Sequence, residues 1–159
     1  MNFFFFSLLF IILIVISGID FTHQLIPDIF SIPGIFLGLV YQFFNHNFLV
    51  GLIGVLFGGG LILIIRVIGG WAYKKEVMGM GDVYLVALIG SFVGFPLIIP
   101  AIFLAAVIGS IVGAIYLGIT RQSKDNPIPF GPFLSIGGAV VVILQEQIVA
   151  ILRSLGIYL

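Results

Sequence analysis

Long apolar stretches separated by short polar interruptions make up most of the chain, and six can be delimited, at 3–19, 30–44, 49–68, 83–95, 97–119 and 133–152. None alternates polar and apolar positions as a barrel strand does. A backbone in lipid must satisfy its own hydrogen bonds, so these runs predict α-helices. A hydrocarbon core about 30 Å thick takes roughly 20 helical residues. The fourth run is short by that measure, and Gly94-Phe95-Pro96 separates it from the fifth. That pattern predicts either a short tilted span or a re-entrant pair. The expected fold is an all-α membrane protein, a polytopic bundle of about six transmembrane helices in one domain covering 1–159.

Composition removes the soluble alternatives. Of the 159 residues 62% are hydrophobic and 8% charged, against roughly 25% charged in an ordinary soluble domain. Six basic residues balance six acidic ones, so no global field recruits nucleic acid or an acidic substrate. The chain has no cysteine, which excludes disulfides, thiolate nucleophiles and cysteine metal sites. The opening Met-Asn-Phe-Phe-Phe-Phe carries no basic segment and no cleavage signal follows it, so the first run is expected to be a retained span. Glycines within the runs, as in Gly51-Leu52-Ile53-Gly54 and Gly58-Gly59-Gly60, suit close helix packing.

With six alternating spans, segments 20–29, 69–82 and 120–132 share one face, and 45–48 lies on the other with the C-terminus. Arg66, Lys74, Lys75, Arg121 and Lys124 fall on the first face and Arg153 alone on the second. Such a bias predicts a cytoplasmic first face.

That face also carries the candidate chemistry. Asp20 and Asp82 each abut apolar helix, where a carboxylate is costly and marks function by default. Two carboxylates in a poorly solvated site do not both ionise readily. One keeps a proton while the other can activate water, which is the chemistry of an aspartyl hydrolase. Gly79 and Gly81, flanking Met80 just before Asp82, would let a peptide backbone approach closely. The competing reading makes both acids interfacial helix ends, with Asp82 favoured at a helix N-terminus. Asp28, after Pro27, reads as a cap or first-turn acid. His23 stands alone in a polar loop, His46 lies on the opposite face, and no metal site is expected. Lys74-Lys75-Glu76 reads as an orientation signal. The stretch Asn126-Pro127-Ile128-Pro129-Phe130-Gly131-Pro132 is either a rigid connector or the wall of a groove beside the acids.

Three stretches together resemble type IV prepilin peptidases: Ile19-Asp20-Phe21-Thr22-His23-Gln24-Leu25-Ile26-Pro27-Asp28, Gly79-Met80-Gly81-Asp82-Val83, and Ile128-Pro129-Phe130-Gly131-Pro132-Phe133-Leu134. The resemblance implies a GxGD-type aspartyl endopeptidase that removes the leader from prepilins or pseudopilins at the cytoplasmic face of a prokaryotic inner membrane. It further implies catalytic Asp20 and Asp82, with Gly79, Gly81, Asp28, Pro129, Phe130 and Gly131 supporting or binding substrate, and no cofactor. Many bacterial members precede the first span with a Cys-x-x-Cys segment and also methylate the new N-terminus. With no cysteine here, N-methylation is not expected. Tyr84 stands where the family often has lysine.

A rival class is a small proton-coupled transporter, since paired membrane acids also serve as relays. It predicts midplane acids and repeated halves, whereas these acids end spans and no repeat is evident. A structural subunit of a pilus or secretion assembly would make the acids dispensable.

Overall fold

In a computed structural model of the chain the described residues form seven helices, in the order α1 (Asn2–His23), α2 (Asp28–Phe44), α3 (Phe48–Tyr73), α4 (Met80–Val93), α5 (Ile98–Thr120), α6 (Gly131–Ile143) and α7 (Gln145–Ser154). Residues 2–74, 78–120, 129–154 and 156 are described, with side chains excepted at Asn2, Leu117 and Thr120. Lys75, Glu76, Arg121, Lys124 and the part of the proline stretch at 126–128 lie outside the described residues. Among the described residues there is no strand, and the protein is an all-α polytopic membrane protein. Three helices, α1, α3 and α5, are long and apolar enough to cross a membrane. The bent pair α6–α7 would be a fourth, and α2 and α4 are shorter apolar helices.

The short α4 is the centre of the bundle. Eleven of its 14 residues are buried, packed among α2, α3 and α6. A helix enclosed by protein on every side has no need to match the bilayer thickness, which accounts for the shortness of the fourth run. Its contact with α3 is nearly backbone to backbone. A side chain on Gly54 would collide with the Gly90 carbonyl, and one on Gly90 with the Gly54 carbonyl. Small residues permit this approach, and in lipid it is packing rather than hydrophobicity that holds helices together. Beside it, the buried Gln42 Nε2 donates to the Phe92 carbonyl at 2.7 Å.

At the far end of α4, Gly94 takes a left-handed φ of 73° where a Cβ would lie 2.6 Å from Val50 Cγ1. The Phe95 N–H donates to the Val50 carbonyl at 3.1 Å. Helix α4 therefore runs through the bundle to the start of α3 as a short crossing helix, and the chain returns as α5.

The sixth run departs from expectation. Instead of one helix over 133–152, α6 stops at Ile143 and α7 leaves at a 72° bend. The bend lets Ile148, Val149 and Leu152 pack on the core while Glu146 and Arg153 stay exposed.

Candidate active site

The connecting segments are shorter than expected because the helices run into them. α1 continues three residues past Asp20, with Thr22 Oγ1 bonded to the Gly18 carbonyl at 3.0 Å, so Asp20 sits in its last turn. Gln24 then turns left-handed (φ 51°) and its N–H donates to the Asp20 carbonyl at 2.9 Å. Pro27 in extended conformation starts α2, which places Asp28 in the first turn.

Asp82 occupies the first turn of α4, three residues after the N-cap Gly79. Gly79 at the N-cap with an acid three residues on has the spacing of a capping box. A third segment reaches the first carboxylate: Gly131, opening α6, donates its N–H to Asp20 Oδ2 at 2.9 Å. A Cβ on Gly131 would stand 2.6 Å from that oxygen, so the approach requires glycine.

Asp20 and Asp82 are buried, at 5% and 8% exposure. They share one open cavity of about 420 Å³ at this end of the bundle. Gly79, Gly81, Asp28, Pro129 and Phe130 line the same cavity, and Gly131 joins the site through Asp20. Sequence reasoning missed Gln24, Leu25, Ile26, Met78 and Met80, which also line it. Their only signal was adjacency to the two acid-bearing stretches. His23 is exposed and outside the cavity lining, and His46 sits in the α2–α3 turn at the opposite end. Tyr84 is not part of the lining. Among the described residues, no three His, Cys, Asp or Glu side chains gather as a metal site.

Two helices extend past the site. A Cβ on Gly59 of α3 would lie 3.7 Å from the Val83 carbonyl oxygen, and α3 continues to Tyr73, about 20 Å further. Gly109 of α5 meets Phe130 and Phe133, and α5 continues to Thr120, about 16 Å beyond.

Fold and site together define a multi-pass helical membrane protein with a buried carboxylate pair in an open cavity at one end of its bundle. The type IV leader peptidase family matches residues 7–114, and the chain belongs to that family. It is 35% identical over 142 residues to the prepilin leader peptidase/N-methyltransferase of Pseudomonas aeruginosa, covering 86% of this chain and 48% of the relative. Against the type 4 prepilin-like proteins leader peptide-processing enzyme of Escherichia coli, identity is 40% over 136 residues, covering 84% and 49%. The chain thus spans about half the length of these curated relatives. No solved structure matches it.

Proposed function

We propose that this chain is a membrane aspartyl endopeptidase that removes leader peptides from type IV prepilins or pilin-like proteins, with Asp20 and Asp82 as its catalytic pair. The observation that carries the reading is that two acids from distant stretches are both buried at one open cavity. The names of the relatives supply the substrate class.

The pair holds one proton between its two carboxyls. The ionised carboxyl takes a proton from water as the oxygen adds to the scissile carbonyl, and the protonated one donates to that carbonyl oxygen. Collapse of the tetrahedral species breaks the C–N bond: the proton gained from water passes to the leaving amine, one hydroxyl of the diol returns its proton to the carboxylate that had donated one, and the one-proton pair is restored. Gly131 orients the Asp20 carboxyl, and Gly79 leaves room in the cavity for an extended substrate backbone, whereas the missing Cβ of Gly81 makes room for Ile26. The predominance of Arg66, Lys74, Lys75, Arg121 and Lys124 on the site-bearing side supports an inner-membrane protein whose acids face the cytoplasm.

The test uses the full chain in lipid nanodiscs with a type IV prepilin, following leader loss by gel mobility. Asp20→Asn and Asp82→Asn each abolish cleavage while the protein remains folded. Asp28→Asn keeps appreciable activity, because it perturbs a helix first turn by about 1 kcal/mol or less. An active Asp20→Asn or Asp82→Asn enzyme overturns the pair.

A further inference from the structure

Arg66 is the only charged residue of α3, set in the run Leu61-Ile62-Leu63-Ile64-Ile65-Arg66-Val67-Ile68 on the extension that passes the site. Its neighbours Ile64, Ile65, Val67 and Ile68 are exposed on the outer surface of this apolar helix, whereas Arg66 is half-buried. A guanidinium in such a run is costly and is retained where it has a partner. One partner is the Met78 carbonyl, to which Arg66 Nε donates at 3.0 Å. Met78 lines the cavity and immediately precedes Gly79-Met80-Gly81-Asp82.

Two residues of this segment are glycines. Gly81 is packed against Ile26, but at Gly79, nearer Met78, the nearest atoms a Cβ would meet are Asp82 Oδ2 and the Gly81 nitrogen, its own neighbours in the segment, so that end needs another hold. Gly79 must nevertheless stay in place, because it lines the cavity and is the N-cap of the helix that carries Asp82. Orientation signals on a membrane protein work through charge alone. A hydrogen bond from Nε, the atom inside the guanidinium fork, depends on geometry as well.

We infer that Arg66 is a positioning residue, which pins the Met78 carbonyl and thereby holds the Gly79–Asp82 segment in register over the cavity. The proposal rests on the peptidase reading for its activity measurement only.

Three substitutions separate hydrogen bonding from charge. Arg66→Gln keeps a nitrogen donor at the ε position and loses the charge. Arg66→Lys keeps the charge and has a methylene there, and Arg66→Met has neither. Each full-length variant is placed in nanodiscs, and amide hydrogen exchange is followed across 78–82 and, as an internal reference, across the buried 85–92 of α4. With the pin lost, exchange over 78–82 rises about tenfold in Arg66→Met, the factor that one hydrogen bond of ordinary strength accounts for. Arg66→Lys follows Arg66→Met, Arg66→Gln stays near the parent, and 85–92 is unchanged throughout. Leader cleavage then shows kcat reduced about tenfold in Arg66→Met with KM little altered, and recovery in Arg66→Gln.

Protection in Arg66→Lys but not in Arg66→Gln would make the role one of charge and overturn the proposal. So would unchanged exchange in Arg66→Met, or an equal rise across 85–92, which denotes general loosening. If the parent cleaves no prepilin, the peptidase reading fails while the exchange data still decide the role of Arg66.

Discussion

Gly131→Ala tests whether the third segment takes part in the chemistry or only closes the bundle. The added Cβ would stand 2.6 Å from Asp20 Oδ2, 3.1 Å from its Cγ and 3.2 Å from Ile26 Cδ1. The Ile26 methyl is the end of a flexible side chain and can yield. Asp20 cannot yield without lengthening the 2.9 Å bond from the Gly131 N–H. A hydrogen bond to a charged group is worth about 1.5–3 kcal/mol. Misplacing a reacting group by a few tenths of an ångström to 1 Å costs up to about a hundredfold. Together these give a fall of roughly 10–100-fold in kcat/KM. The fold is expected to persist, because alanine is the better helix former by up to about 1 kcal/mol and the position opens α6. The assay is the initial rate of leader removal in nanodiscs beside a thermal melt. Gly60→Ala is the control, since nothing lies within 4 Å of a Cβ there. A Gly131→Ala enzyme cleaving within twofold of the parent would refute the orienting role, and equal loss of activity and melting temperature would make the glycine purely structural.

One other consequence follows from the same geometry. Gly90→Ala sets a Cβ against the Gly54 carbonyl and 2.7 Å from its carbon, with backbone on both sides and no side chain to yield. It should destabilise the α3–α4 contact by about 1–3 kcal/mol, read as a lower melting temperature in detergent, and a parent-like melt would show that the helices can part without cost.

Much of this protein is legible from local pattern. Hydropathy alone determined that the chain is helical and membrane-embedded, since lipid admits no other backbone arrangement for such runs. The placement of Asp20 and Asp82 at the ends of apolar runs marked them as candidates, because a carboxylate beside apolar helix stands out in any sequence. Tertiary structure decided the rest. In lipid, a surface that faces acyl chains and one that faces another helix are equally apolar. Hydropathy therefore could not show that the short α4 is the enclosed centre while α3 and α5 extend past the site. Charge counting used Arg66 as one more positive residue on a face, and only the fold brings its Nε to the Met78 carbonyl. The bend between α6 and α7 depends on where Gln145-Glu146-Gln147 falls relative to the bundle end, a depth that no local pattern encodes. The stretch holding Gly131 could be read as a groove wall beside the acids, but only the fold shows its N–H reaching the Asp20 carboxylate across 111 positions of sequence. A backbone donor is chemically the same at every non-proline residue, so only its place in space singles it out.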